Sequence, residues 1–307
     1  MNSNEIDKVT INGYRDNIEM RFQQKVSKLR RTVMEEEQEG EYDYYDRAGP
    51  AEEAKDKEGT NVDTDYTDLP FDRRRIGCTL SYYSTLIDKQ SKLRMLADPT
   101  STYVQNGVAT INRKIDRKII TAIKANAYAG KNGETTISYS TDQDIAVDYV
   151  ESGSATNSNL TIPKLRRAGE LINDKDQLED GEKVYILAGV NQKSALLRNE
   201  ETTSSDYNTV KALVKGEINE FMGFEFIWFG GNPQGYKAFL PKTSNIRDCY
   251  YYSESALKLA FQENSMFVDV TRLPTKHYST QVYVSVDCGA TRMWEEKVGT
   301  IKCDETK

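Results

Sequence analysis

The residues that could do chemistry in this chain are few and badly placed for it. Its one histidine, His277, stands between Lys276 and Tyr278 in a polar turn. Histidine-based acid–base or nucleophilic schemes need a partner that orients the ring, and none is signalled here. The four cysteines, Cys78, Cys249, Cys288 and Cys303, lie far apart with no C-x-x-C pair. A zinc site needs clustered ligands, so reduced, packed thiols are expected. Asp142 and Asp144 are the kind of carboxylate pair that a hydrolase could use, but they fall in a polar connection, 131–160, with no apolar pocket implied. Gly230-Gly231-Asn232-Pro233 reads as a turn, and no P-loop, nucleophile elbow or dinucleotide glycine pattern occurs. The reading is therefore not an enzyme, with no cofactor and no metal.

Charge is the more informative chemistry. The formal net charge is −7, which argues against a protein that grips nucleic acid over its whole surface, because such binding scales with the phosphates neutralised. The charge alternates in blocks. Tyr14 to Arg31 carries a balance of +4, Met34 to Asp68 a balance of −11, and Arg73-Arg74-Arg75 follows directly. The acidic block includes Glu52, Glu53, Asp63 and Asp65, and the basic triplet is Arg73, Arg74 and Arg75.

The elements that would position these groups follow from periodicity. Residues 14–39 read as an amphipathic helix, with Ile18, Phe22, Val26, Leu29 and Val33 on one face. Nothing apolar nearby could cover that face, so it should dock at a distance. Residues 40–75 hold turn signals and the aromatics Tyr42, Tyr44, Tyr45 and Tyr66, which fit a long two-stranded loop better than a solvating tract. From Ile76 to Ile87 the chain turns apolar. Asp98-Pro99 opens a helix expected to run to Gly130, about 45 Å long at 1.5 Å per residue. Its apolar face is Val104, Val108, Ile111, Ile115, Ile119, Ala122 and Ile123. Its other face carries Arg113, Lys114, Arg117 and Lys118, read either as solvated or as a surface for the acidic block.

Further on, a helix follows Thr161-Ile162-Pro163, Lys183–Ala188 is a strand, and Asn191–Leu197 a short helix. Strands are expected at Tyr236–Leu240, Cys249–Tyr252, Met266–Arg272 and Thr280–Val286, and a helix capped by Ser253 over ESALKLAF. The class is α+β. No run reaches the ~18 apolar residues of a membrane span. The start, MNSNEIDKVT, has no signal-peptide pattern, which points to a product of the cytoplasm.

Two stretches carry a family resemblance. SSDYNTVKALVKGEINEFMGFEFIWF, from Ser204 to Phe229, reads as helix, strand, tight turn at Gly223 and apolar strand. YVSVDCGATRMWEEKVGTIKC, from Tyr283 to Cys303, contains Gly289-Ala290. With Arg74-Arg75 where the loop re-enters the body, the whole chain resembles a tailed-bacteriophage major capsid protein of the Hong Kong 97-type fold. The resemblance implies an N-terminal arm over 1–39, an extended loop over 40–75, a peripheral domain over 76–160 and 270–307, and an axial domain over 161–269. It also implies homo-hexamers and homo-pentamers, a separate scaffolding protein and a portal, loose sequence-independent enclosure of double-stranded DNA, no membrane, and residence in the virion after assembly in the host cytoplasm. The extended loop would lie over a neighbouring copy, with Glu52, Glu53, Asp63 and Asp65 as candidate contacts on the acidic side and Arg73, Arg74, Arg75, Arg113 and Arg117 on the basic side. Lys55 and Lys57 sit where some relatives crosslink, though no partner asparagine can be picked. Rival readings are an encapsulin-like shell, a tail or head-completion protein, and a carboxylate-based hydrolase.

Overall fold

The computed structural model describes residues 23–49, 53–54, 56, 66–88, 100–174, 178, 181–198, 220–233 and 235–307. Glu52, Lys55, Lys57, Asp63, Asp65, the Asp98-Pro99 signal and Ser204–Asn219 lie outside them. The chain divides into two compact units, one of residues 1–26, 80–113 and 264–286, the other of 27–79, 114–263 and 287–307. Among the described residues there are three α-helices and sixteen strands, in keeping with an α+β chain.

The second unit is organised by a seven-stranded sheet. Its strands are β7 (Asp144–Ile145), β8 (Val184–Gly189), β9 (Glu220–Phe221), β10 (Phe224–Phe229), β11 (Lys242–Thr243), β12 (Ile246–Ser253) and β16 (Val298–Asp304). The order is β7-β16-β12-β8-β10-β9, with β11 on β12. β8 and β10 run parallel, and β12 runs antiparallel to both β8 and β16. All six residues of β8 are buried, the continuous apolar run expected of a strand covered on both faces. Helix α2 (Ile162–Asn173) buries Ile162, Leu165, Ala168 and Ile172. These join Ile186, Phe226, Cys249, Tyr251, Ile301 and Cys303 in one core. β9 and β10 form a hairpin in which Phe221 pairs Phe224. Met222 and Gly223 between them both have positive φ, the two-residue loop whose twist matches its strands.

Two smaller sheets complete this unit. β2 (Tyr42–Ala48) and β3 (Phe71–Gly77) pair antiparallel, so the base of the loop expected over 40–75 is two-stranded. β3 continues onto β5 (Ala127–Ala129) and β6 (Thr135–Ile137). β1 (Met34–Gln38) runs parallel to β13 (Leu257–Gln262), which pairs residues 288–292 of the long strand β15 (Ser279–Arg292). Gly289 lies against Gly77: a Cβ there would stand 2.3 Å from the Gly77 carbonyl oxygen. Any side chain would push the two backbones apart.

In the first unit, residues 80–87 of β4 (Thr79–Ile87) and β14 (Phe267–Leu273) both pair β15. One face of this sheet is covered by residues 100–113 of helix α1 (Thr100–Lys124). At Gly107 a Cβ would come within 2.8 Å of Val284 Cγ2 and 3.1 Å of Tyr83 Cδ1.

Four expectations are corrected. Residues 23–39 are not helical; Arg30–Thr32 make a single 3-10 turn and Met34–Gln38 form a strand. Of the expected apolar face, Leu29 and Val33 are buried and Val26 is 71% exposed, while residues 14–22 lie outside the described residues; at Met34–Gln38, pairing with β13 overrides helix propensity. The long helix ends at Lys124, and Ala127–Ala129 leave it to pair with Arg74-Arg75. Leu257–Gln262 is a strand because β1 and β15 flank it on both sides. Residues 236–240 form bends without a ladder partner.

Candidate assembly surfaces

The arginine triplet is not one patch. Successive residues of a strand point to opposite faces, and β3 sends Arg74 inward while Arg73 and Arg75 face outward. Arg73 grips Asp46 through Nε and Nη2 at 2.5 and 3.0 Å, and its guanidinium lies 5.7 Å from the Tyr44 ring centre. The bidentate pair holds the exposed Asp46 carboxyl below its ordinary pKa. Arg75 lies between two rings, 4.6 Å from Tyr42 and 4.9 Å from Tyr128, and donates to the Asn132 carbonyl at 3.3 Å. Among the described residues it makes no ion pair, though its charge helps to lower the Glu134 pKa, after the main-chain hydrogen bonds to that carboxyl.

Arg74 is fully buried. It donates to Asp72 at 2.6 Å and to both oxygens of Glu295 at 3.1 and 3.2 Å. Arg47, stacked 4.7 Å from Trp294, shares the same carboxylates, reaching Asp72 at 2.7 Å and Glu295 at 3.4 Å. Arg292, also fully buried, caps the end of α1 by donating to the carbonyls of Ile123 and Ala125 at 2.7 and 2.9 Å. Its Nε lies 3.8 Å from Glu295. Three guanidinium groups around two carboxylates thus lock the base of the hairpin to the body. A basic group at a helix C-terminus also opposes the helix dipole favourably. Burial presses the Arg292 pKa downward, against the pull of Glu295.

The basic face of α1 is committed within the chain. Arg113 is buried and donates to Gln23, the Gln24 carbonyl and Thr110 at 2.9, 2.8 and 2.9 Å. Arg117 donates to the carbonyls of Ala238 and Lys237 and lies 4.9 Å from the Phe239 ring. Lys118 donates to the carbonyls of Thr79 and Cys288, both at 2.6 Å. Lys114 is the exposed member of the four. The picture of a solvated basic stripe therefore fails, because main-chain carbonyls from distant segments absorb three of the four cations. Between them, Asp116 is fully buried and accepts from the amides of Lys28 and Leu29 at 3.1 and 3.2 Å, and from Ser27 Oγ.

The remaining predicted groups do not converge. Glu53 is described and exposed, whereas Glu52, Asp63 and Asp65 lie outside the described residues. Asp142 pairs with Ser140 at 2.8 Å and Asp144 with Tyr139 at 2.5 Å, so the two carboxylates serve separate local bonds. His277 is exposed in a left-handed turn. Cys249, Cys288 and Cys303 are buried, and all four cysteines are free. Burial pushes the Cys78 thiol up to about 11, which makes it a poor nucleophile. Among the described residues, no group of three or more His, Cys, Asp or Glu side chains is placed to hold a metal ion.

Sequence reasoning missed Arg47, Asp72, Glu295 and Arg292. It also missed Lys164, a fully buried ammonium that donates to the carbonyls of Val147, Ser158 and Lys302 at 2.9, 2.8 and 2.9 Å. No spacing signal marks these residues, because each partner comes from a different element.

A family model described as phage capsid protein matches residues 6–305. The chain belongs to the phage capsid protein family. No curated protein sequence matches it. Solved structures extend the likeness to the fold: a capsid chain of Helicobacter pylori bacteriophage KHP30 has a TM-score of 0.72 at 12% identity, with 99% of each chain covered. A capsid chain of cyanophage P-SCSP1u has a TM-score of 0.70 at 12% identity, covering 96% of this chain and 93% of that one. A chain of Mycobacterium phage Che8 has a TM-score of 0.68 at 12% identity, with 97% of each covered. The fold is thus of the Hong Kong 97 type expected from the sequence. As a capsid protein the chain builds the phage head.

Proposed function

We propose that this is the coat subunit whose copies close into hexamers and pentamers and then into an icosahedral head around double-stranded DNA. The observation that carries this reading is the family match along nearly the whole chain. In it, residues 1–39 act as the arm, 40–75 as the extended loop, 76–160 with 270–307 as the peripheral domain, and 161–269 as the axial domain. The acidic loop of one copy lies over a basic surface of the next. Arg75, preset between two tyrosine rings and in no ion pair among the described residues, is the member of the triplet best suited to receive it. Arg73 could exchange Asp46 for a neighbour's acid. Each such exposed pair contributes only ~0–1 kcal/mol, but head-to-tail contacts repeated around an axis fix partner and register.

The chain performs no catalysis in this reading. A separate scaffolding protein and a portal complete the assembly in the host cytoplasm, and contact with DNA is loose and independent of sequence. Negative-stain electron microscopy of the purified protein at low and high salt tests the proposal: rings or closed particles support it. Arg73→Glu with Arg75→Glu, leaving Arg74 in place, should give a folded chain that forms no particles. Normal particles from that variant would defeat the loop-contact idea.

A further inference from the structure

The first unit ends on an unusual edge. β14 pairs β15 through Phe267–Ser285 to Leu273–Ser279, and no other described strand lies on its far side. An exposed edge offers a row of unpaired amides and carbonyls, and proteins commonly blunt such edges with lysine, proline or a bulge. β14, FVDVTRL, has none of these. Phe267, Val268 and Val270 are 55%, 44% and 43% exposed. Val268 and Val270 stand opposite Val284 and Val282, which are fully buried against the helix-covered side. The apolar layer of the unit therefore runs to the edge and stops in solvent.

The sequence of β14 also fits itself. Two antiparallel copies related by a two-fold through the sheet must oppose residues of like parity, since side chains alternate faces. Centred on Val270, such a pair sets Val270 against the second copy's Val270 and Val268 against the stem of its Arg272. Phe267 then meets the second copy's Leu273, and Asp269 meets its Thr271. Within one strand Thr271 already donates to Asp269, so this hydroxyl and this carboxylate are compatible partners. Shifting the centre to Asp269 or to Arg272 would put like charges face to face, which destabilises a ladder. Centring on Thr271 would set Asp269 against Leu273.

We propose that β14 is an interface between copies of this chain, in which two β14 edges pair antiparallel about a two-fold centred on Val270 and join two sheets into one. The contact is isologous and closed, so it links exactly two copies and complements ring-forming contacts that continue from copy to copy. It rests on the shell reading above, and the test separates the two. Particles are prepared from wild type, from Val270→Cys, and from Asp269→Cys with Thr271→Cys, then oxidised with diamide and run on non-reducing gels. The two variants together sample both kinds of ladder position. The expected result is a disulfide-linked dimer in at least one variant and none in wild type. Well-formed particles with no dimer in either variant would overturn this contact and leave the shell reading standing. Failure of wild type to form particles even in phage-producing cells would remove both. As a second arm, Val268→Lys with Val270→Lys should leave the far-ultraviolet circular dichroism of the chain unchanged while lowering particle yield at least tenfold. Undiminished yield would also overturn the proposal.

Discussion

Two sheets of this molecule treat apolar residues in opposite ways. In the second unit, β8 hides all six of its residues, and β12 beside it and β16 beyond β12 show nearly continuous burial. In the first unit, β4 leaves Leu80, Tyr82 and Leu86 exposed on one face, and β14 exposes five of its seven residues. Tyr82 stacks on Tyr283 at 5.9 Å, and Phe267 lies 6.4 Å from the same ring, so the exposed aromatics gather into a patch. Such patches mark surfaces meant to be covered. The second unit completes its core within one chain, whereas the first keeps large apolar side chains at its surface. Polar chemistry divides in a related way: Arg74 and Arg292, which lock the body together, are buried, whereas the more exposed Arg73 and Arg75 lie against tyrosine rings.

The largest test of that contrast removes Glu295. Glu295→Ala should strand the buried guanidiniums of Arg74 and Arg292 and cost about 3–5 kcal/mol, the usual penalty for breaking a buried ion cluster from one side. Urea denaturation measures it, and a loss under 1 kcal/mol would show that the cluster does not hold the hairpin. Lys164→Met comes next. It removes the ammonium from three inward carbonyls, of which Val147 keeps the Ser158 amide and Ser158 keeps the Asp304 amide, and should cost about 2 kcal/mol, again in urea. Asp116→Ala removes the acceptor for the Lys28 and Leu29 amides and should cost about 1–2 kcal/mol, comparable to losing a helix cap, with the arm segment gaining amide exchange.

A pH titration sharpens the same division. Burial alone would raise the Glu305 carboxyl, but hydrogen bonds from Arg247 and Lys242 outweigh it and hold the group at about 2, against an ordinary 4.5. Glu182 is likewise held at about 2, burial being overcome by the hydroxyls of Ser255 and Ser253 and by Lys297. Both pKa values are depressed in the folded chain. Their stabilisation is therefore fully present above about pH 5 and is lost as pH falls toward 2. Thermal melts across that window should drop steadily, and Glu305→Gln should flatten part of the slope. The smallest expected change in folding stability comes from the first unit: Tyr82→Ser should shift unfolding by no more than about 0.5 kcal/mol while reducing particle yield. A large loss of stability would mean that this face is core after all.

Much of the fold was legible because period and composition act locally. The apolar run of β8, the Thr161–Pro163 helix start and the alternation in β14 and β15 all announce themselves within a few residues. The assignment failed where neighbours in space overruled the local pattern. Met34–Gln38 and Leu257–Gln262 carry helical periodicity, yet each has a strand beside it, and a ladder of main-chain bonds outweighs propensity differences of tenths of a kcal/mol per residue. The arginine triplet shows the same limit at the level of the site. Three adjacent basic residues read as one patch, and only the pleat of β3 separates the structural Arg74 from the outward Arg73 and Arg75.

By itself, then, the sequence determined the α+β class, the block alternation of charge, and the family. Each of these is a property of residue type and order. Tertiary structure alone decided which cations are spent on carbonyls and carboxylates inside the chain and which apolar strands stay uncovered. The partners of Arg74, Arg113, Lys118 and Lys164 come from up to 221 residues away, and a buried charge is held only by groups that the whole fold brings to it.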